Sequence, residues 1–256
     1  MEQSTFLLTL LFTGIAFLVT SLGAFTVIFF GKIGPRLMAA LLGFGGGVMI
    51  ASSVWSMLLP AIEGTRDLAE YLLFVALGFC LGGGIIMLGD WFLQRQTERG
   101  KNRLGSIRSA SLVTFAVTIH NIPEGLCMGV AFGASLSGDP ASLTGAMALA
   151  VSVALQNFPE GAAVSLPLYS AGLSKKKAFL LGSLSGLAEP LFGIVGFFLA
   201  LSMHGLLPFL LSLSAGAMII TTVRELIPEA GELDKNFATL GLTVGFLLMM
   251  SLDSLL

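Results

Sequence analysis

Two copies of one phrase, His120-Asn121-Ile122-Pro123-Glu124-Gly125 and Gln156-Asn157-Phe158-Pro159-Glu160-Gly161, decide how this sequence is to be read. Each copy stands in the middle of a long apolar segment. A carboxylate at that depth is costly enough to be kept for a task, so the default reading is a functional site inside a membrane. Two copies on consecutive segments imply one shared site.

Composition supplies the solvent. Of the 256 residues 55% are hydrophobic and only 11% are charged, mean hydropathy is +0.93, and the apolar runs reach the roughly 20 residues that cross a ~30 Å hydrocarbon core. The 32 glycines suit close helix packing in lipid. Breaks at Gly, Pro and charge predict eight membrane helices, at 5–30, 36–62, 69–94, 109–135, 141–169, 176–202, 206–230 and 236–255, in one polytopic domain covering 1–256. They are helices because a chain in lipid must satisfy its backbone internally. The first run lacks a basic leader region and is too long for a signal peptide, so it reads as a retained span. Cys80 and Cys127 both lie in apolar segments and do not form a disulfide framework. No basic run interleaved with aromatics suggests nucleic acid.

Positive charge sets the orientation. Lys32 and Arg36 fall between spans one and two, Arg95, Arg99, Lys101, Arg103 and Arg108 between three and four, Lys175 to Lys177 between five and six, and Lys235 between seven and eight. Of the thirteen basic residues only Arg66 and Arg224 lie elsewhere. Both termini are therefore expected on the outer face of the cell membrane. The seven-to-eight loop is the weak member, because Glu229, Glu232 and Asp234 outnumber its lysine.

A second repeat concerns architecture. Gly47-Val48-Met49-Ile50-Ala51-Ser52-Ser53-Val54 matches Gly216-Ala217-Met218-Ile219-Ile220-Thr221-Thr222-Val223, and after a one-residue slip Leu59-Pro60 matches Ile227-Pro228. Spans two and seven run in opposite directions. Matching sequence in opposite orientation predicts an inverted repeat of spans one to three and six to eight around central spans four and five, with the substrate site near the midplane.

Residues four apart share a helix face, so His120 aligns with Glu124 and Gln156 with Glu160. Pro123 and Pro159 each remove a backbone donor and are expected to kink their helices. Span six adds Glu189, before Pro190. Three buried carboxylates with one imidazole repel one another unless protonated or holding a cation. The mixed nitrogen and oxygen donors suit zinc and its first-row neighbours rather than magnesium or calcium.

These motifs resemble the ZIP family of divalent metal transporters, in particular its bacterial GufA-type branch, and the likeness covers essentially the whole chain. The resemblance implies a binuclear centre. His120, Glu124, Gln156 and Glu160 would line one position, with Met49 as a further ligand. Asn121, Glu124, Asn157, Glu160 and Glu189 would line the other, the two glutamates of the repeated motif bridging. It also implies uptake of Zn²⁺, with Cd²⁺, Fe²⁺ or Mn²⁺ as other substrates, by alternating access in a homodimer. The sequence departs from the commoner family pattern, which has histidine at Gln156 and an acid at Asn157, and its three-to-four loop carries no histidine.

Other polar residues have plainer readings beside functional ones. Ser52 and Ser56 line an approach or bond backbone, while Glu63, Asp67 and Glu70 gather cations or belong to a solvated loop. Glu225, next to Arg224, would have a minor pathway role. Cys127 lies on the motif's face, His204 reads as a solvated loop residue, and Cys80 and Asp90 stay unassigned. Two rivals remain. An intramembrane metal-dependent hydrolase would use the same donors, but the His-Glu-x-x-His arrangement is absent. An organic-cation transporter would favour an aromatic cage, for which there is no candidate.

Overall fold

The computed structural model describes residues 2–30, 34–99, 105–137, 140–170, 172–202 and 206–255; the side chains at 90, 92–99, 105–117, 119, 120, 137, 140–142, 167 and 253–255 lie outside that description. The described residues are helical almost throughout. There are eight long segments: α1 (Glu2–Phe30), α2 (Pro35–Glu63), α3 (68–99), α4 (Gly105–Ala134), α5 (Pro140–Ser170), α6 (Lys175–Ser202), α7 (Leu207–Leu233) and α8 (Lys235–Leu255). Six of them, α1, α2, α3, α6, α7 and α8, are long and apolar enough to cross a membrane over their described residues. The segments lie within a few residues of the expected spans, because the same Gly, Pro and charged punctuation that ends hydropathy also ends helices.

Glycine decides how the helices pair. A methyl group at Gly43 or Gly47 of α2 would run into the backbone of α8 at Ala238 and Leu242, and one at Gly241 or Gly245 of α8 into α2 at Ala40 and Phe44. Contact positions advance together, so the pair is parallel. The same device joins α3 to α7 (Gly78 and Gly82 on Phe209 and Leu213), α4 to α6 (Gly125 and Gly129 on Glu189 and Gly193) and α1 to α5 (Gly23 on Phe158, Gly161 on Thr20). Small residues let two backbones approach closely where lipid offers no hydrophobic drive for association. In every pair the two helices are separated by an even number of steps in chain order, as parallel neighbours in an up-and-down bundle must be.

The pairs collect into two groups. Helices α1, α4, α5 and α6 pack on one another, and α2, α3, α7 and α8 on one another, with α2 on α5 and α4 on α7 joining the groups. The inverted repeat is visible in this arrangement. Exchanging α1 with α6, α2 with α7, α3 with α8 and α4 with α5 turns the pair α2–α8 into α7–α3 and the pair α1–α5 into α6–α4. Helices α2 and α7 run antiparallel along their length, since Gly64 lies beside Pro208, Met49 beside Thr222 and Gly46 beside Leu226.

The matched segments carry a matched irregularity. Ser53–Leu58 in α2 and Thr222–Leu226 in α7 are π-helical turns that begin at the aligned residue, and the Ser53 and Thr222 hydroxyls each donate to the carbonyl four residues back, Met49 at 2.7 Å and Met218 at 2.8 Å. Each turn ends two residues before a proline, Pro60 or Pro228, whose ring and missing N–H a wider turn accommodates. The turn in α2 is one residue longer, and this is the slip in the sequence match.

Both ends of the bundle are tied. Arg36 pairs with Asp234 at 3.6 Å, and Lys175 Nζ donates to Ile28 O at 2.7 Å, so the one-to-two, five-to-six and seven-to-eight connections share an end. Asp234 also caps α8 through Asn236 N and Phe237 N, which gives the excess acid of that loop a structural role. At the other end Asp67 caps the start of α3, Glu70 accepts from Arg66 N, and Arg66 pairs with Glu70. Of the acids considered for gathering cations, Asp67 and Glu70 hold the loop in shape.

Candidate metal centre

Helices α4 and α5 continue unbroken through Pro123 and Pro159. A break in helical assignment falls in α6, between Ser185 and Ala188. Pro190 has no N–H for the Gly186 carbonyl, which accepts from Glu189 N at 3.1 Å instead, and Gly186 N and Leu187 N likewise bond three residues back. This tightened turn releases Ser185 O, which accepts from Asn121 Nδ2 of α4 at 3.2 Å. One proline thus docks one helix on another.

The glycine of each repeated motif brings a second helix to the site. Gly125 admits the backbone of Glu189, and Gly161 admits that of Thr20. The two are themselves joined: Thr20 Oγ1, 3.1 Å from Ala16 O, lies 3.2 Å from Glu189 Oε1. Glu189 Oε1 also accepts from Asn121 Nδ2 at 3.1 Å, and Oε2 from Asn157 Nδ2 at 2.8 Å. The carboxylate of α6 is therefore held by α1, α4 and α5 together. Hydrogen bonds to a charged group contribute about 1.5–3 kcal/mol each, which offsets part of the cost of burying the acid.

A step along α4 and α5, Gln156 Nε2 donates to Glu124 Oε1. Asn121, Glu124, Gln156, Asn157 and Glu189 are 0% exposed and Glu160 is 5% exposed. Glu124 is within electrostatic reach of both Glu160 and Glu189. On the repeated motifs, four fully buried oxygens have no hydrogen-bond partner among the described residues: Asn121 Oδ1, Glu124 Oε2, Gln156 Oε1 and Asn157 Oδ1. Orphaned oxygens in a dry interior are costly, and a cation is the partner that suits acceptors alone.

The structure thus brings together six of the eight expected ligands. His120 lies on α4, one turn before Glu124, but its side chain is outside the described residues, as are His204 and the side chain of Asp90. Met49 is buried in the α2–α7 crossing, where Thr222 Oγ1 lies 3.5 Å from its sulfur. Among the described residues no three His, Cys, Asp or Glu side chains form a ligand group by themselves; the donor set depends on amides as much as acids. Cys127 donates to Glu124 O at 3.0 Å, and Ser52 to Met49 O at 3.1 Å, so both bond backbone. Thr20 and Ser185 escape sequence reasoning because threonine and serine in apolar helices ordinarily bond their own backbone, as Thr9 and Thr13 do. The glycines opposite Thr20, Gly161 and Gly186, are the only local sign.

The sequence is similar to those of known proteins. A family model described as ZIP Zinc transporter matches residues 93–253. The chain is 32% identical to human Zinc transporter ZIP11, covering 92% of this chain and 93% of that protein. It is 35% identical to Zinc transporter ZIPB of Bordetella bronchiseptica, covering 94% and 78%, and 34% identical to Zinc transporter GufA of Myxococcus xanthus, covering 91% and 93%. Doubled motifs, glycine-locked helix pairs and a dry cluster of acceptors thus occur in a chain that belongs to the ZIP zinc transporter family.

Proposed function

We propose that the chain carries divalent first-row metal ions, chiefly Zn²⁺, from outside the cell into the cytoplasm, holding each ion between α4 and α5 at the level of the repeated motif. As a member of a zinc transporter family the chain is a membrane transporter and not an enzyme, and the hydrolase alternative finds no support. The observation that carries the site is the set of orphaned, fully buried oxygens on Glu124 and Gln156. Glu160, one turn beyond Gln156, and His120, one turn before Glu124, complete the donors. Cd²⁺, Fe²⁺ and Mn²⁺ are the expected competitors, because an oxygen-rich set with one imidazole discriminates weakly among borderline ions.

Translocation follows an alternating-access scheme in which α1, α4, α5 and α6 move as one body against α2, α3, α7 and α8. The grouping of the helices supports that division, and the methionines along the join, Met49, Met57, Met128 and Met218, are side chains that re-pack readily. Both termini face outward from the inner membrane, and the working unit is a homodimer. Ligands must be deprotonated to hold metal, so proton entry would favour release on the inner side.

The test is uptake of radioactive zinc into proteoliposomes. Glu124→Ala and Glu160→Ala are each expected to abolish it while the protein elutes as a folded species in detergent. Wild-type uptake by both variants would defeat the reading. Lipid or peptide turnover accompanying metal flux would revive the hydrolase.

A further inference from the structure

Glu189 looks like one more acid in the metal cluster, yet both of its oxygens are already engaged. Oε1 lies within hydrogen-bond distance of Thr20 Oγ1 and Asn121 Nδ2, and Oε2 accepts from Asn157 Nδ2. An ionised carboxylate only accepts. It therefore selects the NH₂ end of each asparagine, and Asn121 uses its second N–H on Ser185 O, another group that only accepts. Ser185 O fixes the orientation of Asn121, an ionised Glu189 fixes that of Asn157, and each carbonyl oxygen is then turned away from Glu189. Those two oxygens, Asn121 Oδ1 and Asn157 Oδ1, are fully buried and orphaned, as are Glu124 Oε2 and Gln156 Oε1.

We propose that in this chain Glu189 is a positioning residue and not a metal ligand: it pins the amides of Asn121 and Asn157 so that their carbonyl oxygens serve the cation, and Thr20 of α1 secures Glu189 in turn. The inference rests on the metal site proposed above and narrows it to one divalent cation per chain, in an oxygen-dominated set. A carboxylate that orients ligands without touching the ion is the usual outer partner of a metal site, and its loss typically weakens binding 10- to 100-fold. Thr20 extends this outer layer to α1, which carries no residue of the repeated motifs.

The experiment measures zinc stoichiometry and affinity on the full-length protein in detergent, by metal analysis after desalting and by competition with a chelating dye. Wild type is expected to bind one zinc per chain. Glu189→Gln should keep one zinc per chain and lose about 10- to 100-fold in affinity, because a glutamine can donate to either asparagine as well as accept, and so releases both amides. Two zincs in wild type with one lost in Glu189→Gln would make Glu189 a ligand and overturn the inference, while leaving the transport reading intact. Unchanged affinity in Glu189→Gln would overturn it too. No zinc in wild type would defeat both readings.

A second pair of variants keeps the test decisive if Glu189→Gln does not fold. Thr20→Val preserves shape and removes the hydroxyl, whereas Thr20→Ser removes a methyl and preserves the hydroxyl. Weaker zinc binding in Thr20→Val, restored in Thr20→Ser, is the expected pattern. The reverse order would assign Thr20 to packing alone and sink the proposal. Extended X-ray absorption at the zinc edge supplies an independent readout, with a first shell dominated by oxygen and nitrogen and no neighbouring metal.

Discussion

Both four-helix groups close their parallel pairs on glycine, Gly43 and Gly241 in one and Gly125 and Gly161 in the other, yet their interiors differ in kind. Within α2, α3, α7 and α8 the buried polar side chains are hydroxyls: Ser52, Ser53, Ser212, Ser214, Thr221 and Thr222. Ser52, Ser53 and Thr222 bond the backbone of their own helix, while Ser212, Ser214 and Thr221 have no hydrogen-bond partner among the described residues. Within α1, α4, α5 and α6 lie all the described buried carboxylates and amides, and these bond across helices. A hydroxyl satisfied by its own turn costs little and constrains nothing outside its helix. An acid or amide in lipid must find partners on other helices, so it both welds a group together and leaves acceptors for a cation. One group is thus a frame and the other a carrier of polar chemistry, although a single packing device assembled them.

The comparison is tested most severely at its shared device. Gly125→Val or Gly161→Val should prevent correct folding, since a branched side chain would have to displace the backbone of Glu189 or Thr20; overpacking costs at least ~1–3 kcal/mol. Gly84→Ala, where nothing lies within 4 Å, is the matched control. Thermal melting in detergent should separate them, and equal melting curves would mean that glycine does not set the helix spacing.

A subtler change converts the chemistry of the polar group. Asn157→Asp removes the N–H that Glu189 accepts and sets a second acid beside it. Two facing carboxylates without a donor call for charge compensation, so this variant is expected to take up a further zinc per chain at neutral pH. Metal analysis decides, and an unchanged count would mean that the amides are not what neutralises Glu189.

In the frame, Thr222→Val removes a backbone-directed hydroxyl and the contact with Met49 sulfur. The expected loss is about 1 kcal/mol of stability, with zinc affinity unchanged in the same dye competition. Affinity reduced tenfold would bring Met49 into the metal shell and blur the division between the groups. Smallest of all, Arg36→Ala removes an ion pair with Asp234 in which Arg36 is 74% exposed. Such pairs contribute about 0–1 kcal/mol, and melting should shift by no more than a few degrees.

The helix boundaries were readable because membrane helices are punctuated by the residues that lipid excludes. That Glu124, Gln156 and Glu160 lie buried together was readable because polar groups repeated at helical spacing in apolar surroundings have few innocent explanations. Pro123 and Pro159 interrupt neither α4 nor α5 as helices. The break belongs to α6, where Gly186 and Pro190 act together. The paired π turns were hidden in what the linear comparison treated as a one-residue slip between Leu59-Pro60 and Ile227-Pro228.

Sequence alone determined the solvent, the helical class, the internal repeat and the pair of motifs that bear the acids, since each depends on residue type and spacing along one helix. Tertiary structure alone decided which partners those acids keep: that Gln156 faces Glu124, that Asn121 and Asn157 give their N–H groups to Glu189, and that Thr20 joins them from the far end of the chain. The physical reason is that a donor and an acceptor meet across helices only after backbones have closed on glycine, and the register of that closure is a property of two surfaces and not of either segment by itself.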